Sequence, residues 1–327
     1  MSSALPLNPT LRPRPLVLSG LPAAMGVGLL SALFFSVSFV ANRGLALGGG
    51  AWEWTAALRY FITLPIFFAV VAARRGLGPV VHALKVAPVR WVLWGSVGFG
   101  LFYAPLCFAS VSAPGWVVAA VWQVTIVCGV VLAPLLYRDA ARKRVPAVAV
   151  GLSLLVLAGV GLTVAEAPGG VHWSFLGGIA AVLVGAVAYP VGNRKSMDLG
   201  GGLDTFQRVL VMTVGSLPCW IALAVVGGVR AGAPSGAQLV GTLVVAVSSG
   251  VIATALFFAA TRRVRDNPTH LAAVEATQAS EVVFVALAEP LVLGASAPGP
   301  VAWAGIGIIA VGVVGYAMAG RRGPVRG

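Results

Sequence analysis

The sequence predicts an all-α polytopic membrane protein with ten transmembrane helices in a 5+5 inverted-topology repeat. Three observations predict it. Of 327 residues, 59% are hydrophobic and only 9% are charged, against about 25% charged in soluble domains. That is too little polar surface for a soluble enzyme, and it also excludes a disordered chain and a disulfide scaffold. Apolar runs of about 20 residues recur along the whole chain, each enough to cross a hydrocarbon core of roughly 30 Å as a helix. They are continuously apolar rather than alternating, which excludes a transmembrane β-barrel. Finally, the two halves of the chain resemble each other.

The spans follow in order. The first, 22–46, stands behind a Pro-rich segment, 1–21, with Arg12 and Arg14. The run is too long for a signal peptide and no small-residue cleavage site follows, so it reads as a retained helix behind a cytoplasmic tail. The second, 52–73, opens on Trp52 and Trp54. The third, 91–112, is preceded by Pro88 and interrupted by Pro105. The fourth, 115–137, opens on Gly115-Trp116, and the fifth, 146–165, on Pro146. The sixth, 174–193, follows Trp173 and ends at Arg194-Lys195. The seventh, 204–228, and the eighth, 238–260, flank Arg230, and Arg262 and Arg263 close the eighth. The ninth is 268–293 and the tenth 300–319. Residues 22–165 form the first repeat, 166–320 the second, and 321–327 a basic tail. The loops are too short for a soluble domain.

Charge placement fixes the topology. The chain has 22 Lys+Arg against 9 Asp+Glu, a net +13. With the N-terminus inside, 18 of the 22 basic residues fall on one side. They are Arg12, Arg14, Arg74, Arg75, Lys85, Arg90, Arg138, Arg142, Lys143, Arg144, Arg194, Lys195, Arg262, Arg263, Arg265, Arg321, Arg322 and Arg326. Only Arg43 and Arg230 fall outside, and Arg59 and Arg208 lie within spans. This is the positive-inside pattern, and it puts both termini in the cytoplasm and the protein in the cytoplasmic membrane. The basic charge is therefore topological, and nucleic acid is not an expected partner. Trp52, Trp54, Trp116, Trp173 and Trp303 read as outer interfacial anchors, and Trp91 and Trp94 as inner ones. Cys107, Cys128 and Cys219 each stand alone in apolar runs and read as inert thiols. His82, His172 and His270 read as solvated or interfacial. No metal site, cofactor or phosphate loop is expected.

The internal repeat is carried by matched positions. Pro146, Gly151, Val160, Gly161 and Ala165 match Pro300, Gly305, Val314, Gly315 and Ala319 at an offset of 154. Gly100, Leu106, Phe108 and Ala109 match Gly250, Leu256, Phe258 and Ala259 at 150. The first and sixth spans both end in Asn-Arg, at Asn42-Arg43 and Asn193-Arg194, and the second and seventh carry early arginines, Arg59 and Arg208. Five spans per repeat is an odd number, so the halves have opposite orientation. Inverted repeats belong to secondary transporters, with the substrate near the midplane.

This pattern resembles the drug/metabolite transporter superfamily over roughly residues 22–320. The ninth span, Val274-Glu-Ala-Thr-Gln-Ala-Ser-Glu-Val-Val-Phe284, is similar to the branch of multidrug-resistance efflux transporters. The Arg59-Tyr60 pair resembles the superfamily's arginine–aromatic pair. Glu289 matches an acidic residue that often closes the ninth helix. The fourth departs from the pattern, with Ala133-Pro134 there and an acid only at Asp139. The resemblance implies a cavity lined by helices one to four and six to nine, with five and ten peripheral.

Ionisable groups within a membrane face a cavity or a partner. They are Arg59, Arg208, Glu275, Glu281 and, near the outer end, Glu289. Glu281 lies about 20 Å along its span at ~1.5 Å per residue, close to the midplane. Glu275, Gln278 and Glu281 are three apart and share one stripe, flanked by Thr277 and Ser280. Two readings stand. Glu281 is protonatable at that depth, because desolvation disfavours its charge, so protons and a cation compete for it. Alternatively, Glu281 pairs with Arg59 and Glu275 with Arg208, locking helices together. The arginines could also bind a substrate acid, or snorkel to the interface. Trp122 and Gln123 offer an aromatic and polar face for a cation or a flat molecule. Tyr103, Tyr189, Asn42 and Asn193 suit hydrogen bonds between helices, and Gly305, Gly307, Gly312 and Gly315 suit close packing.

The expected function is secondary active export of small molecules, drug-like cations or metabolites, by alternating access with proton exchange. The alternative is an uncoupled facilitator of neutral or zwitterionic metabolites such as amino acids, for which ion-paired glutamates suffice. A lipid-processing enzyme is the remaining class; it needs a nucleophile–base pair or metal cluster that the sequence does not offer. The expected partners are a small-molecule substrate, protons and the lipid bilayer. Oligomeric state is open.

Overall fold

A computed structural model describes residues 20–136, 147–170, 172–264 and 267–319. The expectations for Arg12, Arg14, Arg138, Asp139, Arg142, Lys143, Arg144, Arg265, Arg321, Arg322 and Arg326 lie outside them. The described residues are helical, with no strand among them. Eight helices are long and apolar enough to cross a membrane. They are α1 (Leu21–Leu47), α2 (Trp52–Ala73), α4 (Pro88–Ser112), α6 (Ala147–Ala165), α7 (Trp173–Leu199), α8 (Thr205–Ala231), α9 (Gly236–Val264) and α10, whose apolar part is Ala273–Leu293. Two further apolar helices, α5 (Gly115–Val131) and α11 (Pro300–Ala319), stand where the fourth and tenth spans are expected. The short α3 (Leu77–Val86) was not expected. At ten residues it is too short to span, and it packs on α8 and α4.

The surface explains the composition. Leu135, Trp173, Val229 and Leu291 are each at least 79% exposed. In water such a surface would drive aggregation, whereas against acyl chains it costs nothing. The polar groups are turned inward instead: Ser31, Thr163, Ser216, Thr242, Ser249 and Glu289 have no exposed surface. The described chain is that of a multi-pass membrane protein.

Contacts come in matched sets. α1 packs on α9 and α10, and α7 packs on α4 and α5. α2 pairs with α8, α5 with α10 and α6 with α11. The α6–α11 pair is sealed by glycines. A Cβ at Gly305 would lie 2.5 Å from the Gly159 carbonyl oxygen, and added Cβ atoms at Gly312 and Gly315 would strike Val156 and Leu152. Gly307 faces open space, unlike its three neighbours. Tyr316 adds a hydroxyl bond to Ser153 and donates to the Ala149 carbonyl oxygen at 3.0 Å.

Two expected interfacial tryptophans are core residues. Trp91 and Trp116 are each 1% exposed. Gly200 and Gly215 make room for Trp91, and Trp116 follows the turn that carries α4 into α5. Trp173, at 89% exposure, is free to serve as an anchor.

Candidate functional site

Four helices break their regular winding. α4 has a π turn at Ser96–Gly100 and α9 one at Ala246–Ala253. π turns gather at functional sites because they re-aim side chains and free carbonyls. The Ser31 hydroxyl donates to one such carbonyl, Ala253, at 2.9 Å. α5 is interrupted at Gln123, between Gly115–Trp122 and Val124–Val131. α10 runs Pro268–Ala276, then a 3₁₀ turn at Thr277–Ala279, then Ser280–Leu293. The two interruptions carry Gln123 and Gln278.

The α5 break at Gln123 and Glu281, two residues past the α10 break, lie at one depth. α1 and α10 run side by side in the same direction, with Gly28 against Thr277 and Gly44 against Leu293. α5 begins at their far end, where its Gly115 and Trp116 amides both donate to the Glu289 carboxylate at 2.9 Å. Eight residues back from Glu289 is Glu281, and eight residues on from Gly115 is Gln123. Each is about 12 Å into the bundle at ~1.5 Å per residue.

Glu281 is 7% exposed. Among the described residues it has no ion pair and no hydrogen-bond partner. Glu275, by contrast, is exposed. The three residues of the expected stripe therefore meet different surroundings, although a 3₁₀ turn keeps positions three apart on one face. Gln278, between them, is drawn to α1: its Nε2 donates to the Gly28 carbonyl oxygen at 3.1 Å, and its Oε1 is buried without a partner among the described residues. The side chain of Gln123 is 3% exposed.

The expected pairs, Glu281 with Arg59 and Glu275 with Arg208, do not form among the described residues. Matching depth along two helices did not bring the groups to matching faces. Arg59 is 8% exposed and has no carboxylate partner there. Its guanidinium lies over the Tyr103 ring, 4.0 Å from the centroid, and 5.8 Å from that of Tyr60. Tyr103 donates to Asn42 Oδ1 at 3.0 Å, the expected bond between helices. Asn193 instead donates to the Tyr189 carbonyl oxygen within its own helix. Arg208 is partly exposed, near the start of α8.

A cluster of aromatic rings extends from Arg59. Tyr60 stacks on Trp220 at 4.2 Å, with planes 12° apart. Phe102 lies 6.0 Å from Tyr103, 4.8 Å from Trp122 and 4.8 Å from Tyr189. Tyr189 keeps 36% of its surface open. Trp122 thus belongs to an aromatic wall. Trp220 and Phe102 were missed in the sequence, where nothing separates a wall residue from a packing residue.

The two ends of the bundle differ. Near Glu289, the start of α5 from Gly115 to Val121 is buried. Arg43 Nη1 donates to the Ser110 and Val111 carbonyl oxygens at 2.9 and 3.0 Å, holding the end of α4 in the same seal. At the opposite end, a cleft of about 200 Å³ opens between Arg74, Asp204, Phe206, Phe258 and Arg262. Among the described residues no group of His, Cys, Asp and Glu could hold a metal ion.

The chain is similar to several known proteins. The protein YjlA of Bacillus subtilis (strain 168), described as uncharacterized, is 43% identical over 313 residues, covering 91% of this chain and 95% of its own. A 42.1 kDa protein of Shouchella clausii, encoded in an intracellular alkaline protease 3' region, is 42% identical over 264 residues, covering 79% and 70%. A solved crystal structure shares the fold at a TM-score of 0.62 and 18% identity, over 92% of this chain and 98% of that one. Residues 23–322 match the family EmrE, described as "Putative multidrug resistance efflux transporter". That match takes in every helix and every buried charge described above, and on its extent the chain belongs to the EmrE multidrug-resistance efflux transporter family.

Proposed function

We propose that the protein is a secondary active exporter of small organic molecules, working by alternating access, with Glu281 as the site where protons and substrate exchange. One observation carries this reading: a buried carboxylate with no partner among the described residues, at the depth where α5 loses its winding and two residues past the break in the neighbouring α10. An unpaired carboxylate away from water is costly when ionised. A proton relieves that cost, and so does a cationic substrate, but not both together. Each substrate released to one side thus leaves a group that takes a proton from the same side.

The architecture supports the movement this requires. Ten helices in two inverted five-helix repeats, 22–165 and 166–320, account for the matched contacts. The α4 and α9 irregularities begin 150 residues apart, at Ser96 and Ala246. In this reading α6 and α11 are peripheral, and the basic end, with both termini, faces the cytoplasm across the cytoplasmic membrane. The uncoupled facilitator rests on ion-paired glutamates, and no such pair forms among the described residues.

The test is flux in liposomes. In inside-out-oriented vesicles with an acid lumen, protons leaving the lumen are expected to drive substrate uptake by wild type and not by Glu281→Gln. Since only the ionised carboxylate holds a cation, cation affinity falls as pH falls in wild type and is pH-independent in the variant. Wild-type coupling in Glu281→Gln would refute the assignment.

A further inference from the structure

The geometry points to a binding site for an anionic phospholipid in the cleft at the open end of α2, α8 and α9, with the lipid phosphate between Arg74 and Arg262. The site stands apart from exchange at Glu281. α2 packs on the start of α9 and on its π turn, whereas the stretch of α9 beyond that turn packs mainly on α1. The α2–α8 pair and the last turns of α9 therefore stand apart, and the cleft of about 200 Å³ lies between them.

Charge in the cleft is unbalanced. Two guanidinium groups and one carboxylate line it. The carboxylate is already committed to the start of α8, where the Gln207 backbone N–H donates to Asp204 Oδ1 at 3.0 Å. Its Oδ2 stands 3.8 Å from Arg74 Nη1, too far for a hydrogen bond. Arg74 leans on Phe206, 5.1 Å from the ring centroid. Arg262 donates its Nε to the Phe258 carbonyl oxygen of its own helix at 3.2 Å, and it has no carboxylate partner among the described residues. A phosphate diester carries one negative charge, and its oxygens accept the paired N–H bonds that guanidinium offers. It cancels the excess charge and bridges two groups that otherwise repel.

The rest of the wall selects a lipid rather than a free anion. Leu203, Phe206 and Phe258 line the same cleft, and Leu203 also borders a second hollow of about 270 Å³. α3, the start of α4 with Trp91 and the loop at 200–202 enclose that hollow, and Val86, Trp91 and Leu199 give it an apolar lining. The phosphate sits between the arginines while the glycerol and the first part of an acyl chain cross Leu203 into the second hollow. α3, too short to span, then serves as the far wall. Basic pockets between transmembrane helices are where anionic headgroups settle.

Native mass spectrometry of the purified full-length protein, released from neutral detergent, counts bound lipid. The probes are dioleoyl phosphatidylglycerol and dioleoyl phosphatidylcholine, which share their chains and differ in headgroup charge, and inorganic phosphate as competitor. Wild type is expected to bind phosphatidylglycerol at least about tenfold more tightly than phosphatidylcholine. Arg74→Gln/Arg262→Gln should bring phosphatidylglycerol down to the level of phosphatidylcholine. Arg263→Gln, which removes a charge from the same end but outside the cleft, should leave the preference intact. Inorganic phosphate in large excess should not displace the lipid. Equal binding of the two lipids by wild type, or a preference that survives the double change, overturns the site. Displacement by inorganic phosphate overturns the lipid and leaves a free-anion site. Both arginines are exposed, and the single changes keep the test open if the double variant does not fold. Coupling at Glu281 is read separately, by flux in liposomes.

Discussion

Two glutamates of one helix show how differently a buried carboxylate can be used. Glu289 has no exposed surface and accepts both amides at the start of α5, where the helix dipole also favours negative charge. It is a structural pin. Glu289→Ala leaves two buried N–H groups unsatisfied, at about 1–3 kcal/mol. We expect a lower melting midpoint in detergent, with partial recovery in Glu289→Gln, whose amide oxygen still accepts. Glu281 has no such partners among the described residues, so Glu281→Gln should melt at or above the wild-type temperature while, on the proposed exchange, losing coupling. Equal melting of wild type and Glu289→Ala would remove the pin. The sequence separates the two glutamates by about 12 Å along one helix, because residue number times rise gives distance along it. It could not separate pin from site, because that depends on which amides another helix presents.

At the scale of the helix, length and composition made most spans legible to within a few residues, although the sixth, expected to end at 193, runs on to Leu199. The second is expected at 52–73 and found at Trp52–Ala73. What escaped is irregular winding. Gln123 and Thr277–Ala279 carry no glycine or proline to announce a break, so packing against α1 and α7 rather than local preference must hold them open. The short α3 escaped too, since its ten residues read as a loop between basic positions. Glycines in α11 were legible as a group but not singly. At Gly305 a side chain would run into the Gly159 backbone, whereas at Gly307 nothing lies within 4 Å. Gly305→Leu should therefore overpack the α6–α11 seam, at about 1–3 kcal/mol, and lower both the melting midpoint and the monodisperse fraction on size exclusion. Gly307→Leu, the same change two residues on, should leave both unchanged. If the two variants behave alike, the seam is not where the geometry places it.

Across the whole molecule, α2 and α8 are clasped at both ends by the same kind of device. At the sealed end Arg230 Nη1 meets Glu53 Oε1 at 2.5 Å, with Glu53 2% exposed, and Trp54 Nε1 donates to the Gly232 carbonyl oxygen at 2.9 Å. At the open end Arg74 stands 3.8 Å from Asp204, both about half-exposed, and Gln207 Nε2 donates to the Gly76 carbonyl oxygen at 3.0 Å. Each clasp joins an acid at the start of one helix to an arginine just past or near the end of the other, with a side-chain N–H on the following loop. If the halves form an inverted repeat that works by alternating access, as proposed, the two clasps exchange places, and the tight one at the closed end and the loose one at the open end are one device in its two settings. Alternating access then requires the Glu53–Arg230 clasp to loosen as Arg74–Asp204 tightens. In a background with Cys107, Cys128 and Cys219 replaced by Ala, a Glu53→Cys/Arg230→Cys pair should cross-link readily, abolish flux and recover it on reduction. An Arg74→Cys/Asp204→Cys pair should cross-link slowly at rest and faster once substrate is cycling. Flux that persists through a completed disulfide in the first of these double variants would mean that this end of α2 and α8 stays closed throughout, and the exchange of clasps would be wrong.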